Sequence, residues 1–190
     1  MSLRCNDFVF TLFRLEENEE TRKLEGSLGY LKVTIFMHEV INIELDAHSE
    51  LAFTALSDLT NYAQWLSFID KATPVDDEDG NNCWEVTLRA RIGPFSRLKK
   101  LRMVQVISVP EQEIEFSRSE TDGRNHSDWN LNVRIKSTGD TSCMISLSVK
   151  YSGGFWSKPL KNTFFEEVEK GTKRLQESLL NDQCEDDSHL

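Results

Sequence analysis

The side chains that could move a proton or hold a metal ion are scattered along this sequence. None of its four histidines, His38, His48, His126 and His189, lies on a predicted apolar strand face, where a buried general base would be expected. The four cysteines form no C-x-x-C pair and have no histidine at metal-ligand spacing. No nucleophile-elbow, dinucleotide-binding or phosphate-loop motif is present. The sequence therefore predicts no metal site and no cofactor, and it identifies no catalytic residue.

Two polar side chains, Tyr62 and Gln105, are the candidates for orienting a ligand or transferring a proton. Tyr62 belongs to the stretch DLTNYAQWL, which places a second large ring, Trp65, just before a predicted strand. Gln105 alternates with apolar residues in a later strand, but the three-residue spacing of Leu98 and Leu101 predicts a bulge that leaves its face undetermined. A buried glutamine needs hydrogen-bond partners, and a ligand could supply one.

The composition favours one domain with a real core. With 190 residues, of which 38% are hydrophobic, the chain can bury a sizeable apolar interior. The formal net charge of −10 disfavours binding to DNA, RNA or anionic membrane surfaces. The longest apolar runs, FVF and VTIFM, are too short to span a bilayer or to form a signal-peptide core. We therefore expect a cytoplasmic protein with reduced cysteines, no DNA partner and no stable membrane insertion.

A basic hairpin, residues 89–102, stands out against this acidic background. Its six basic residues are Arg89, Arg91, Arg97, Lys99, Lys100 and Arg102. One interpretation is a solvated sheet face whose charges pair across strands with acids such as Glu85, Glu113 and Glu115. The other is a docking surface for an acidic protein, RNA or the ribosome.

Hydrophobic periodicity predicts the elements that must position these residues. The stretch VINIELDA alternates apolar and polar residues as a half-buried strand does. The following HSELAFTALSDL has helical spacing, with Ser49 as the predicted N-cap, and Thr60 is the predicted cap of a second short helix. Six further strands are predicted, separated by turn residues, at 69–76, 82–92, 98–109, 113–119, 128–137 and 142–151. Their short connections favour an antiparallel meander.

A last helix is predicted from about residue 157 to about residue 180. Its apolar stripe is formed by Leu160, Phe164, Val168, Gly171, Leu175 and Leu179. An antiparallel sheet with its helices on one face is an α+β architecture, and a sheet curved around a single long helix encloses space. Small residues in the inward rows, Gly171, Ala90 and Cys143, favour a hollow interior, whereas close packing of Gly171 against the sheet is the alternative.

The predicted ligand-binding residues are those whose side chains should face this interior. They are Tyr62, Trp65, Trp84, Val86, Leu88, Gln105, Trp129, Leu131, Ile145, Leu147, Phe164, Val168 and Gly171.

The order of elements resembles the helix-grip fold of the START-like (SRPBCC) superfamily, which includes polyketide cyclase/dehydrase-like proteins and lipid-transfer domains. Two segments carry the resemblance. HEVINIELDAHSELAFTALSDLTNYAQWLSFIDKATPV is similar to the opening of these proteins, and SVKYSGGFWSKPLKNTFFEEVEKGTKRLQESL is similar to their ending. The resemblance covers about residues 38–180.

The resemblance implies a sheet of six to seven strands curved around the C-terminal helix, with two short helices after the first strand. It implies that Trp65 either plugs the gap between the short helices and the sheet or touches a ligand, and that the Tyr62 hydroxyl lies at the rim. Members bind ligands or catalyse reactions, so we expect binding or transport of a small apolar or aromatic ligand, lipid-like or polyketide-like. A cyclase or aromatase that uses Tyr62 or Gln105 is the alternative, and docking through the basic hairpin is a third hypothesis.

The resemblance divides the chain into three predicted segments. Residues 37–182 are predicted to form the START-like domain. Residues 1–36 are predicted to be an N-terminal extension, or the product of a start codon assigned upstream of Met37. Residues 183–190 are predicted to be an acidic tail.

Overall fold

The computed structural model describes residues 36–186 without 77–78, 93–94, 125 and 153–157, and its side-chain detail further omits 36–37, 90–97, 158–163 and 182–186. The predicted N-terminal extension lies outside the described residues apart from residue 36. The C-terminal helix continues to Asp186, so residues 183–186 of the predicted acidic tail belong to its last turn, and residues 187–190 lie outside the described part.

Seven strands and three helices make up the described chain. The strands are β1 (Phe36–Leu45), β2 (Ile69–Pro74), β3 (Cys83–Ile92), β4 (Phe95–Val109), β5 (Glu113–Arg118), β6 (Trp129–Gly139) and β7 (Ser142–Ser152). The helices are α1 (Ser49–Ser57), α2 (Leu59–Trp65) and α3 (Lys158–Asp186). The predicted strand positions agree with these bounds to within a few residues, and α3 runs six residues past its predicted end.

The strands form one antiparallel sheet in the order β1-β7-β6-β5-β4-β3-β2. Strands β2 to β7 follow one another as a meander, whereas β1 pairs with the last strand over the whole register from Phe36 opposite Ser152 to Leu45 opposite Cys143. The sheet curls into a half-barrel, and the predicted helix-grip α+β fold is confirmed.

The core lies on the concave face of the sheet. On β7 the residues Cys143, Ile145, Leu147 and Val149 are all buried, as the alternation predicts. The stripe of α3 that packs against them includes Phe164, Val168, Leu175 and Leu179, each at most 5% exposed. Burial of these two faces against each other is the main source of stability for such a layer.

The caps of the two short helices differ from the prediction. The N-cap of α1 is His48, which makes no side-chain cap, while Ser49 is the first helical residue and donates its hydroxyl to Glu111. The N-cap of α2 is Asp58, whose carboxylate accepts the Thr60 N–H at 2.8 Å. The carboxylate is the stronger acceptor, and it lies close enough to bond the backbone of the second helical residue.

Asp58 also joins α2 to the sheet, because its Oδ1 accepts the Trp84 Nε1–H at 2.9 Å. We expect Asp58→Ala to lower the free energy of unfolding by about 2 kcal/mol, since it removes a helix cap and leaves an indole N–H unpaired. Asp58→Asn keeps the Oδ1 acceptor and should lose less than half of that. Urea denaturation followed by tryptophan fluorescence measures both, and equal stability of the alanine variant and the wild type would contradict the assignment.

The bulge predicted between Leu98 and Leu101 is wrong. The pairing of β3 with β4 is regular from Cys83 opposite Val104 to Ile92 opposite Phe95, and the irregularity lies instead between β4 and β5, at Gln105 and Ile107. Leu98 is simply an outward residue that is 60% exposed, whereas Leu101 is buried on the concave face. The predicted register of β4 was wrong because Leu98, although apolar, lies on the exposed face of the strand.

Candidate functional site

A small cavity lies between the concave face of the sheet and the helices α2 and α3. Its volume is about 40 Å³ within the described residues. It is lined by Leu59, Tyr62, Leu66, Phe68, Ile69, Val86, Leu88, Leu101, Met103, Trp129, Leu131, Leu147, Val149 and Phe164. About 10–15 Å³ of such volume holds one water molecule, so the cavity has room for only a few groups of that size.

Strand alternation explains why the lining is apolar. Leu101 and Met103 are buried two residues apart on β4, and Val86 faces the same interior from β3. The rings of Phe68 and Phe164 lie 5.4 Å apart where α2 leads into the sheet and α3 crosses it. No charged side chain lies among the described residues of the lining. The site is therefore suited to an apolar or aromatic group.

The hydroxyl of Tyr62 is already bonded within the protein. It donates to the Leu56 carbonyl at 3.0 Å, and the residue is fully buried. Burial raises the pKa of the Tyr62 phenol far above its usual range. The expectation that this hydroxyl lies at the rim is wrong, because the ring packs into the interior and the hydroxyl bonds to the Leu56 carbonyl of α1.

Seven of the thirteen predicted ligand-binding residues line the cavity: Tyr62, Val86, Leu88, Trp129, Leu131, Leu147 and Phe164. The other six do not: Trp65, Trp84, Gln105, Ile145, Val168 and Gly171. Ile145 and Val168 are core residues with at most 1% exposure, farther along the concave face. Ligand contact at the seven lining residues remains a prediction.

Gly171 and Trp65 form the contact between α3 and α2. A Cβ at Gly171 would lie 2.4 Å from the Trp65 carbonyl oxygen and 3.1 Å from Cε3 of its ring, so glycine allows the two helices to touch. Arg174, one turn farther along α3, donates to the same carbonyl from Nε at 3.1 Å and Nη2 at 2.7 Å. Close packing against α2 therefore accounts for Gly171, and the expected hollow does not lie there.

Gln105 and Trp84 face the interior beside Asp58, away from the cavity. Gln105 accepts from Asn82 at 2.8 Å and donates to the Ser57 carbonyl at 3.4 Å, so protein groups supply the partners that a ligand was expected to supply. Cys143, one of the small inward residues, is fully buried, and the side chain of Ala90 lies outside the described part.

Sequence reasoning missed seven lining residues: Leu59, Leu66, Phe68, Ile69, Leu101, Met103 and Val149. Four of these, Ile69, Leu101, Met103 and Val149, lie on predicted strands, and a firm register for β4 would have found Leu101 and Met103. Leu59 is the first residue of α2 and Leu66 is its C-cap, and their seven-residue spacing is typical of an apolar helix stripe. Phe68 lies in a connection, for which periodicity gives no signal.

Charged and aromatic groups lie at one end of the cavity. Lys99 is two residues from Leu101 on the concave side of β4, and Arg118 pairs in register with Met103. The Arg118 side chain is only 6% exposed, and its Nε donates to Glu120 Oε1 at 2.6 Å. Lining residues and a polar cluster thus adjoin within the same concave surface.

An aromatic pair completes this end of the site. Tyr151 pairs in register with the lining residue Trp129, and their rings lie 5.4 Å apart in an edge-to-face arrangement. The Lys99 ammonium lies over the Tyr151 ring, 5.6 Å from its centroid.

The basic hairpin does not form one surface. Lys100 pairs with Glu85 at 2.8 Å, and Arg89 pairs with Asp70, both on the convex face. Lys99 lies on the opposite, concave face, and the side chains of Arg91 and Arg97 are outside the described part. Cross-strand pairing with Glu85 agrees with the solvated-face interpretation, whereas Glu113 and Glu115 bind Arg134 and asparagines instead. Docking of an acidic protein, RNA or ribosome on this hairpin has no support.

Neither a metal site nor a membrane-spanning helix is found in the described part of the chain. No group of three or more His, Cys, Asp or Glu side chains in this part of the chain is arranged to hold a metal ion. Within the same residues, no helix is both long enough and apolar enough to cross a bilayer.

Comparison with known proteins links this geometry to one family. A family model described as polyketide cyclase / dehydrase and lipid transport matches residues 45–174. No curated protein matches the chain.

Solved structures resemble the fold at low identity. A conserved protein from Geobacillus kaustophilus has a TM-score of 0.60 at 11% identity, covering 76% of this chain and 96% of that one. A START superfamily protein from Mycobacterium smegmatis has a TM-score of 0.56 at 16% identity, covering 76% and 97%. An aromatase/cyclase from a Streptomyces species has a TM-score of 0.51 at 13% identity, covering 78% and 93%. At these identities the likeness concerns the fold.

Proposed function

Since the chain belongs to the polyketide cyclase / dehydrase and lipid transport family of the START-like superfamily, we propose that it binds a small apolar or aromatic ligand between the concave sheet and α3. The observation that carries the proposal is the lining of the cavity, whose described side chains are aliphatic or aromatic. The Tyr62 hydroxyl, its one phenolic group, is bonded to a backbone carbonyl and is not available to a ligand. Binding then depends on burial of apolar surface, worth roughly 25 cal/mol per Å².

The cavity must widen to admit such a ligand, because about 40 Å³ is less than a lipid chain or a fused-ring compound occupies. Phe68, whose ring packs against Phe164, is one part of the lining that can move. Phe68 is only partly buried, so its ring can turn toward solvent at a lower cost than a core ring. A ligand ring or chain would replace the contacts that Phe68 gives up.

Fewer structural observations support the cyclase or aromatase hypothesis. The two side chains expected to move protons were Tyr62 and Gln105, and both are bonded to backbone carbonyls, with Gln105 outside the cavity. We therefore propose a carrier or binding role rather than a reaction at these residues.

Binding is tested by titration of the purified protein with 1-dodecanol and with an anthraquinone, as a lipid-like and a polyketide-like probe. Isothermal titration calorimetry and the shift of Tm on addition of each probe are the measurements. We expect at least one probe to bind one-to-one and to raise Tm. Absence of heat and of any shift with both probes, together with no co-purifying compound in native mass spectrometry, would refute the proposal.

The location of the bound ligand is tested by replacing a lining residue with a larger one. Leu147 is 2% exposed and lines the cavity, so the larger ring in Leu147→Phe should occupy the void and weaken probe binding by about tenfold or more, while overpacking costs about 1 kcal/mol of stability. The matched control is Val40→Phe, which adds a ring on the outer face of β1, where Val40 is 53% exposed. Unchanged binding by the Leu147 variant would place the ligand elsewhere.

A further inference from the structure

The polar cluster at the end of the cavity contains a cation with no acidic partner of its own. Arg118 is bonded to Glu120, and its Nη1 donates to the Ser127 carbonyl at 3.1 Å. Glu120 is engaged a second time, because its Oε1 also accepts the Arg102 backbone N–H at 3.4 Å. Among the residues that the structure describes, Lys99 makes no ion pair, and its ammonium lies over the Tyr151 ring.

The electrostatics around Lys99 favour an incoming anion. Desolvation lowers the pKa of its ammonium, the positive charge of Arg118 lowers it further, and Glu120 only partly opposes them. A cation that is held near a second cation, and is partly withdrawn from water, gains more from an anionic partner than a solvated surface lysine does. Lys100, its neighbour in sequence, has such a partner already in Glu85.

The location of Lys99 and Arg118 beside the cavity also favours an anionic ligand. Lys99 and Arg118 adjoin Leu101 and Met103, which line the apolar cavity, and the cluster lies on the same concave face. A ligand with an apolar body in the cavity would therefore bring one end of its chain to Lys99. The burial of the Arg118 guanidinium, 6% exposed, shows that this end is built into the fold and is not a loose surface charge.

We infer that Lys99, supported by Arg118, binds the carboxylate of an amphipathic ligand whose apolar part occupies the cavity. The inference rests on the proposed function and adds the class of ligand: a fatty-acid-like or aromatic carboxylic acid rather than a neutral hydrocarbon or alcohol. The ammonium and guanidinium donate charge-assisted hydrogen bonds to the carboxylate oxygens, and the Tyr151 ring holds the lysine side chain over the site.

The test compares dodecanoate with 1-dodecanol, which have the same chain length and differ in the head group. Calorimetric Kd values are measured for the wild type, for Lys99→Met and for Lys100→Met. The two variants lose the same charge from adjacent positions on opposite faces of the sheet, so long-range electrostatics are matched. We expect Lys99→Met to weaken dodecanoate binding about tenfold, the loss of a hydrogen bond to a charged group, and to leave dodecanol unchanged. Lys100→Met should leave both unchanged.

A second variant tests the role of the buried ion pair between Arg118 and Glu120. Arg118→Gln combined with Glu120→Gln removes both charges at once, so no unpaired charge stays buried. Circular dichroism checks its fold, and we expect it to lose the preference for dodecanoate over dodecanol as well.

The possible results separate the two proposals. Equal dodecanoate affinity in the wild type, the Lys99 variant and the double variant would overturn the carboxylate site while dodecanol binding still supports the cavity. Binding of dodecyl phosphate but not of dodecanoate would overturn the carboxylate as the head group. Failure of every probe to bind would overturn both. A loss confined to dodecanoate in the Lys99 variant and the double variant would support the inference.

Discussion

Gly171→Ala is expected to lower the free energy of unfolding by about 3 kcal/mol, although alanine is the better helix former by about 1 kcal/mol. The added methyl group would lie 2.4 Å from the Trp65 carbonyl oxygen, a distance that requires the backbone of α2 or α3 to move. That movement would also strain the two hydrogen bonds from Arg174 to the same oxygen. The steric penalty therefore exceeds the gain in helix propensity.

Gly139→Ala is the matched control. Its new methyl group meets the Ser142 hydroxyl at 2.7 Å, but a serine side chain can rotate away, so little stability should be lost. Urea denaturation of both variants, followed by circular dichroism, measures the two free energies. A Gly171 variant as stable as the wild type would mean that α2 and α3 do not touch as described.

Phe116→Ala is expected to lower the free energy of unfolding by about 4 kcal/mol. Phe116 is fully buried on β5 and meets two other rings edge-to-face, Tyr62 at 6.2 Å and Trp84 at 5.5 Å. Its removal leaves a void at the point where the sheet supports α2, and neither neighbouring ring is free to fill it, since each is held by a hydrogen bond.

Phe165→Ala provides the comparison for this core substitution, because Phe165 loses the same atoms from a partly buried position on α3. It should lose less than half as much stability. The two variants are compared by guanidinium denaturation, with Tm from calorimetry as an independent measure. A loss below 1 kcal/mol for Phe116→Ala would show that the three rings are not packed as a unit.

The fold could be predicted from the sequence because strands such as β1 and β7 alternate apolar and polar residues and because the turns contain Gly, Asn, Asp and Pro. The inward row of β7 and the apolar stripe of α3 follow from these periodicities alone, and both are buried as expected. The resemblance at the two ends of the domain supplied the curvature that periodicity does not specify.

The site was harder to predict because it depends on where elements meet. Gly171 looked like missing volume in the stripe of α3, yet it is the contact point with the α2 carbonyl, a backbone atom that no sequence pattern reveals. Lys99 appeared as one of six basic residues in a hairpin, and only the regular register of β3 with β4 separates it from Lys100. The width of the cavity depends on packing to a fraction of an ångström, which residue types alone do not determine.

Because β1 pairs with β7, the sheet cannot be completed until the last strand has been synthesised. The backbone partners of β1 lie about a hundred residues later, on β7, from Phe36 opposite Ser152 to Leu45 opposite Cys143. Such contacts raise the contact order, which slows folding toward the millisecond-to-second range. During synthesis the apolar side of β1 must wait until nearly the whole domain has left the ribosome, and a chain cut before β7 would keep that side exposed to aggregation.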